Sequence, residues 1–227
     1  SKDLYHWKEK PIVLREKGSI YPRMKFSGST VWDSQNTSGL CKKNSACLIA
    51  VYTEWTLLNQ TQNLAVSHDG GFSFVEYRDN PVIDENSWSF RDPKVFWHHK
   101  TAQWIMVVAK PSASKIAFYA SKNLINWTHL SDFSAIKSSE GIWECPDLFY
   151  LPTVGNPTYG KWILLTSVAE TVRGSYMQYF VGDFDGKNFK KEPSPGDAKI
   201  LDYGYDFYAA ISWENLPPAN RVIVGWM

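Results

Sequence analysis

The hydrophobic positions of this chain fall in short runs rich in β-branched and aromatic residues, and clusters of Gly, Pro, Asn, Asp and Ser separate them. Runs of this kind predict β-strands. The predicted strands occupy residues 47–53, 62–68, 73–77, 94–98, 104–110, 115–121, 147–152, 161–168, 176–184, 207–213 and 221–227. Helical periodicity is hard to find along the chain, so the sequence predicts an all-β fold.

Two motifs recur along these strands. A polar turn followed by an aromatic residue appears in "SKDLYHW", "SHDGGFSF", "SKNLINW" and "GDFDGKNF". Alternating with it, a strand opens in "FSGSTVWD", "RDPKVFW", "ECPDLFYL" and "DFYAAISW", at residues 26, 91, 144 and 206. The openings are thus 65, 53 and 62 residues apart, and a unit of this size with about four strands is one β-propeller blade. A β-sandwich also has short strands, but it gives no reason for a recurring opening.

Three acidic residues stand at these openings, namely Asp92, Glu144 and Asp206. The first strands of propeller blades line the central channel, so we expect the three side chains to meet at one end of it. Any one of them alone is more simply a strand-end cap or an ion-pair partner. Converging carboxylates in a chain with 11 Trp, 12 Tyr and 12 Phe indicate glycoside chemistry.

Charge and hydropathy exclude other classes of protein. The formal net charge is +1 and no basic run could follow a phosphate backbone, so a nucleic-acid partner is not expected. No apolar run approaches the roughly 18 residues of a membrane helix, and the first residues have no signal-peptide core. The chain also has no initiator Met, which we interpret as the mark of a piece of a longer protein. The sequence does not determine the oligomeric state.

The three cysteines do not have the spacing of a metal site, and no cofactor is expected. Cys41 and Cys47 either close a small disulfide loop or remain free thiols, and the sequence leaves both options open. Asn-X-Ser/Thr sequons at Asn36, Asn59 and Asn126 favour a secreted protein without establishing it.

The motifs "FSGS", "FRDPKVFW", "WECPDLFYL" and "GWM" resemble those of glycoside hydrolase family 32, in order and over nearly the whole chain. That family contains invertases, inulinases and levanases, which are five-bladed β-propellers acting on β-fructofuranosides, and the motifs look most like those of its fungal or other eukaryotic members. The resemblance implies the end of blade 1 at 1–25, blade 2 at 26–90, blade 3 at 91–143, blade 4 at 144–205 and the start of blade 5 at 206–227.

The resemblance also implies roles for three residues of two motifs. Glu144, of the "EC" pair, is the expected general acid/base, and it must be protonated when the reaction begins. Asp92, of "RDP", is expected to stabilise the transition state by holding sugar hydroxyls. Arg91 is expected to assist Asp92 in gripping the fructosyl ring.

Four further residues are expected near the sugar. Phe26 and Ser27 of "FSGS" line the same subsite by resemblance, although core packing for Phe26 and a turn position for Ser27 are equally simple interpretations. Asp206 is expected at the rim. Trp226 is more simply a packing residue between blades, but of the tryptophans it is the best candidate for a sugar contact.

The family's nucleophile is the Asp of a "WMNDPNG"-like motif, and these 227 residues contain no such stretch. We expect that Asp upstream, so the 227 residues alone are expected to be inactive. Without the resemblance, Asp92 and Glu144 would be paired as nucleophile and acid, because a glycosidase needs two carboxylates. The resemblance argues against that pairing.

The sequence therefore predicts a secreted or vacuolar retaining hydrolase of sucrose, inulin or levan. The alternatives are a fructosyltransferase of the same fold and a sugar-binding propeller without activity. An inverting, arabinan-cleaving propeller is more distant, because "FSGS" together with "EC" speaks against it.

Overall fold

The computed structural model describes residues 1–227 except 19, 44, 136–140, 173, 194–197, 205 and 217–220. The strands are β1 (Met24–Asp33), β2 (Cys47–Trp55), β3 (Gln60–Ser67), β4 (Val75–Glu76), β5 (Arg91–His98), β6 (Gln103–Lys110), β7 (Lys115–Ser121), β8 (Thr128–Phe133), β9 (Ile142–Thr153), β10 (Asn156–Thr171), β11 (Gly174–Phe184), β12 (Phe189–Lys191), β13 (Lys199–Ile200), β14 (Tyr208–Ser212) and β15 (Ile223–Trp226). Within the described part of the chain the one helical element is a 3-10 turn, Pro111–Ala113. No helix there is long and apolar enough to cross a membrane.

The strands form consecutive antiparallel meanders. The first sheet has the order β1-β2-β3-β4, the second β5-β6-β7-β8 and the third β9-β10-β11-β12, with β13 also pairing β11. Strands β14 and β15 form a pair of their own. The first strands of successive units contact one another, β1 with β5, β5 with β9 and β9 with β14. This is the arrangement of adjacent propeller blades, and the predicted all-β propeller fold is confirmed.

Each hydrophobic core lies between two neighbouring sheets rather than inside one. Strand β6 shows why, since its residues alternate between two faces and both faces are apolar. Met106 and Val108 pack into the core shared with the first sheet, whereas Ile105 and Val107 pack into the core shared with the third sheet. A third core joins the third sheet to β14 through Ala210. Burial of each such large side chain contributes roughly 1.5–3 kcal/mol.

The repeated polar turn has the same structure in each copy. A carboxylate or amide oxygen of Asp3, Asp69, Asn123 or Asp185 accepts hydrogen bonds from backbone N–H groups two to four residues further on. In the first and third copies the indole N–H of the closing Trp also donates to a backbone carbonyl, at 3.0 and 2.8 Å. "SKDLYHW", in the segment expected to end blade 1, is therefore a turn and not a strand.

Cys41 and Cys47 form a disulfide, which decides between the two options that the sequence left open. Both residues are buried, Cys41 in the connection between β1 and β2 and Cys47 at the start of β2. Asn36, whose side-chain oxygen accepts the Cys41 N–H at 3.0 Å, belongs to the same connection. The sequon at Asn36 is thus part of the folded loop.

A β-bulge interrupts the first strand of every sheet at the same place. In β1 the register shifts between Lys25 and Gly28, and equivalent shifts occur between Arg91 and Lys94, and between Tyr208 and Ile211. In the third sheet two residues, 145 and 146, stand opposite Thr166 alone. Bulges re-aim side chains next to functional sites, and this one bends each strand at the mouth of the channel.

Candidate active site

The bulges determine which side chains of the opening motifs share a structural position. Arg91, Glu144 and Tyr208 each stand directly before a bulge, and Asp92 and Cys145 each occupy its first position with a positive φ, of 63° and 47°. Asp206 lies two residues earlier than Tyr208. The single repeat phase that we assumed for the three carboxylates is therefore wrong, although Asp92 and Glu144 are brought together.

Glu144 lies between two donors from the neighbouring sheets. Its Oε1 accepts from Arg91 Nε at 2.9 Å and Nη2 at 2.8 Å, and its Oε2 accepts from the Tyr208 hydroxyl. The side chains of Arg91 and Glu144 are 16% and 20% exposed, so the pair is shielded but reachable from solvent. The guanidinium thus contacts Glu144, whereas the sequence had assigned it to Asp92.

Asp92 is held by partners in both neighbouring sheets. Its own N–H donates to Thr53 Oγ1 of the first sheet at 3.0 Å, and its Oδ2 accepts the Cys145 N–H of the third sheet at 3.0 Å. The Cys145 thiol is 3.6 Å from the same oxygen. Oδ1 is therefore the oxygen of Asp92 that remains for another ligand.

Burial raises the pKa of three groups in this cluster. Desolvation raises the pKa of Asp92, the nearby charge of Glu144 raises it further, and the Cys145 N–H opposes both. Burial also raises the pKa of the Cys145 thiol and of the Tyr208 phenol well above their ordinary values. Both groups therefore stay protonated at neutral pH, so Tyr208 keeps its hydroxyl hydrogen.

A cavity of about 520 Å³ opens beside Asp92. Its walls include Ser27 and Trp226 as well as Cys145, so the structure places two of the four further candidates next to Asp92. A larger cavity, of about 920 Å³, lies at the opposite ends of β5 and β9 and has none of the predicted site residues in its wall.

The remaining two candidates lie elsewhere. Phe26 stacks on Trp55, with ring centroids 6.1 Å apart, and does not line the cavity. Asp206 is exposed, and within the described residues it has no hydrogen bond or ion pair with the cluster. Their roles at the sugar stay predictions.

Sequence reasoning missed three residues of the site. Tyr208 was hidden in a predicted strand, although the bulge alignment with Glu144 marks its position. Lys94 and Asp147, both buried, follow the bulges of β5 and β9, and the Lys94 ammonium lies 3.7 Å from Asp147 Oδ2. Their shared partner is Ser212, whose carbonyl accepts from Lys94 at 2.5 Å and whose N–H donates to Asp147 at 2.6 Å. This network joins the first strands of three sheets, and Lys94 and Ser212 belong to the cavity wall.

Comparison with known proteins gives consistent matches. A family model described as "Glycosyl hydrolases family 32 N-terminal domain" matches residues 1–227. The chain is 46% identical over 235 residues to a levanase of Bacillus subtilis, covering 100% of this chain and 34% of the levanase. It is 37% identical to an extracellular exo-inulinase of Aspergillus niger, covering 100% of this chain and 48% of that protein.

A solved structure matches as well. The fructofuranosidase from Schwanniomyces occidentalis complexed with fructose has a TM-score of 0.90 and 40% sequence identity, over 96% of this chain and 42% of that chain. The chain thus spans about a third to a half of the length of these relatives. They come from a bacterium and from fungi, and the eukaryotic lineage stays a prediction.

Proposed function

The chain belongs to glycosyl hydrolase family 32, and on that premise we propose that the full-length protein hydrolyses β-fructofuranosides such as sucrose, inulin or levan. The observation that carries the proposal is the convergence of two acidic side chains from neighbouring sheets, Asp92 and Glu144, around Cys145 at the channel mouth. Glycoside hydrolysis needs an acid that protonates the leaving oxygen and a negative charge that stabilises the oxocarbenium-like transition state.

Glu144 acts as the general acid/base in this proposal. Protonated on Oε2, it gives that proton to the leaving oxygen, while an Asp in a "WMNDPNG"-like motif, absent from these 227 residues, attacks the anomeric carbon. Glu144, now ionised, then takes a proton from water, whose oxygen bonds to the anomeric carbon and displaces the Asp, so that fructose leaves with retention of configuration. Arg91 stabilises the ionised state, and the Tyr208 hydroxyl can accept from a protonated Oε2 or donate to an ionised one.

Asp92 serves as the transition-state stabiliser. Its Oδ2 is occupied by the Cys145 N–H, which leaves Oδ1 to accept from a sugar hydroxyl. Ser27 and Trp226 line the adjacent cavity and contact the substrate there. A positively charged oxocarbenium-like centre forms in the transition state, and its charge favours the ionised form of Asp92 against the desolvation that raises the pKa, so the carboxylate lowers the barrier.

The proposal is tested by fructose release from sucrose, inulin and levan by the full-length protein, with the anomeric configuration of the first product followed by NMR. We expect β-fructose, the retained anomer. A product with inverted configuration would exclude the double displacement, and fructose transferred to sugars in place of water would identify a fructosyltransferase. Binding of fructosides without turnover would identify a sugar-binding propeller.

Replacing Tyr208 with Phe removes one donor from Glu144 and little volume. We expect kcat to fall roughly 10-fold, the usual effect of one lost hydrogen bond to a charged group. KM should change less, because Tyr208 contacts Glu144 and does not line the cavity beside Asp92. Steady-state kinetics measure both effects. An unchanged kcat would show that Tyr208 has no part in the reaction.

We also propose that the protein is secreted. The Cys41–Cys47 disulfide persists most readily in an oxidising compartment, and one relative is named an extracellular exo-inulinase. Of the three sequons, Asn126 is exposed in its turn, whereas the side chains of Asn36 and Asn59 take part in hydrogen bonds with Cys41 and Asp84.

A further inference from the structure

Three buried polar residues of the first sheet direct their side chains at one segment of the second sheet. Thr53 lies on β2, and Gln60 and Gln62 lie on β3; all three are at most 4% exposed. Burial of a hydroxyl and two amides is costly unless each finds partners. Their partners in the next sheet are the three consecutive residues 90–92, which contain the Arg-Asp of the candidate site.

Each of the three side chains forms hydrogen bonds with this segment. Gln60 Oε1 accepts from Phe90 N–H at 2.9 Å and from Arg91 Nη1 at 3.3 Å. Gln62 Nε2 donates to the Phe90 carbonyl at 2.8 Å. Thr53 Oγ1 accepts the Asp92 N–H at 3.0 Å and donates its own hydrogen to Gln62 Oε1 at 2.9 Å. Thr53, Gln60 and Gln62 are called the polar clamp below.

The propeller fold itself does not require the polar clamp. Thr53 stands opposite the bulge of its sheet and pairs with Gln62 across the β2–β3 ladder. In the second sheet the same two positions hold Val108 and Ala117, which are apolar and fully buried. The third sheet has a buried polar pair there, Thr166 and Gln178, but the second sheet shows that a blade also forms with hydrocarbon at these positions. What the polar residues of the first sheet hold therefore needs its own explanation.

The backbone of Asp92 gives that explanation. Its φ of 63° lies in the left-handed region, which is unfavourable for a residue with a side chain. The Thr53 hydroxyl satisfies the N–H that this conformation turns away from its own ladder. The carboxylate can then reach the Cys145 N–H, and the same segment carries Arg91 to Glu144.

We propose that the polar clamp positions Arg91 and Asp92 for the reaction, an inference that rests on the proposed function. None of its three residues lines the cavity beside Asp92, so they act through the segment that they hold and not on the substrate. Misplacement of a reacting group by about 1 Å is enough to cost on the order of 100-fold in rate.

The test replaces Thr53 with Val, which copies the residue of the second sheet, and with Ser, which restores the hydroxyl. In the full-length protein we expect Thr53→Val to lower kcat for sucrose by roughly 10- to 100-fold with a smaller change in KM, and Thr53→Ser to recover most of that loss. Thr61→Val is the matched control, because Thr61 is a buried neighbour on β3 whose hydroxyl donates to Asn63 of its own strand and, among the described residues, bonds nothing in the second sheet. A host without N-glycosylation is used, since Thr61 belongs to the Asn59 sequon.

The expected pattern is a similar loss of thermal stability in the two Val variants and a loss of kcat in Thr53→Val alone. A wild-type kcat in Thr53→Val, or an equal loss in Thr61→Val, would overturn the inference. If Thr53→Val does not fold, Gln60→Met removes the acceptor from Phe90 and Arg91 and takes its place. Failure of both to fold would also overturn it, by showing that the polar clamp is needed for folding.

A crystal structure of Thr53→Val tests the polar clamp independently of whether the proposed function is right. A wild-type protein that releases no fructose would refute the function before the variants are compared. The inference is then judged on the bond from Cys145 N–H to Asp92 Oδ2, which is 3.0 Å here. A lost bond supports the polar clamp, and an unmoved Asp92 refutes it.

Discussion

Replacing Glu144 with Gln in the full-length protein is expected to lower kcat for sucrose by on the order of 10²- to 10⁴-fold, the usual share of general acid–base catalysis. Gln keeps the size of the side chain and an oxygen for Arg91, but it has no proton to transfer. Substrate binding should change much less, since the ground-state contacts remain. Steady-state kinetics and the inhibition constant of fructose separate the two effects.

The leaving group gives this experiment an internal check. An aryl fructoside whose leaving group is an acidic phenol needs little protonation of the leaving oxygen. With this substrate, Glu144→Gln should therefore slow cleavage of the glycosidic bond much less than it does with sucrose. Glu192→Gln, at a half-exposed carboxylate paired with Lys161, is the matched control. An unimpaired Glu144→Gln enzyme would remove Glu144 from the mechanism.

The second large effect is expected at Asp92. In Asp92→Asn the amide oxygen keeps the bond from Cys145 N–H, which turns the NH2 group towards the place where Oδ1 accepts a sugar hydroxyl. Loss of one or two hydrogen bonds to a charged acceptor predicts a fall in kcat/KM of roughly 10²- to 10⁴-fold. Unlike Glu144→Gln, this variant should bind fructose more weakly, because ground-state contacts are lost too.

Calorimetric titration with fructose distinguishes the two variants. Asp183→Asn is the control, since Asp183 is a largely exposed carboxylate that pairs with Lys161 away from the site. An Asp92→Asn enzyme with the same affinity for fructose and the same kcat/KM as wild type would contradict the assignment of Asp92 to the sugar. The aryl fructoside should not rescue Asp92→Asn, because no proton transfer is missing.

The all-β propeller fold could be predicted from the sequence, because its short apolar strands and its repeated Asx-type turn are local features. Asp69 and Asn123 illustrate this, since each organises its turn within four residues. The convergence of Asp92 and Glu144 could also be expected, because the opening motifs of neighbouring blades must meet at the channel. Both the turns and the meeting of the opening motifs can be recognised because they recur along the sequence.

Other parts of the site could not be predicted, for a physical reason. A bulge adds one residue to a strand, and no residue type in "DFYAAIS" indicates where it lies. The sequence therefore predicted Asp206 at the site, whereas the residue that contacts Glu144 is Tyr208. The polar clamp is even less visible, because Gln60 and Gln62 act on a segment about 30 residues away. Their polar side chains look like the exposed face of a strand until the neighbouring sheet covers them.

Because both faces of β6 are buried, neighbouring residues of this strand contribute to the free energy of unfolding through different cores. Ile105 and Met106 are covalent neighbours, yet they pack against different sheets and share no core. Truncating one leaves a void between the second and third sheets, and truncating the other leaves a void between the first and second. We therefore expect the two losses of stability to add, because the side chains share no packing partner although their backbones are joined. In this architecture, separation across a sheet matters more than separation along the sequence.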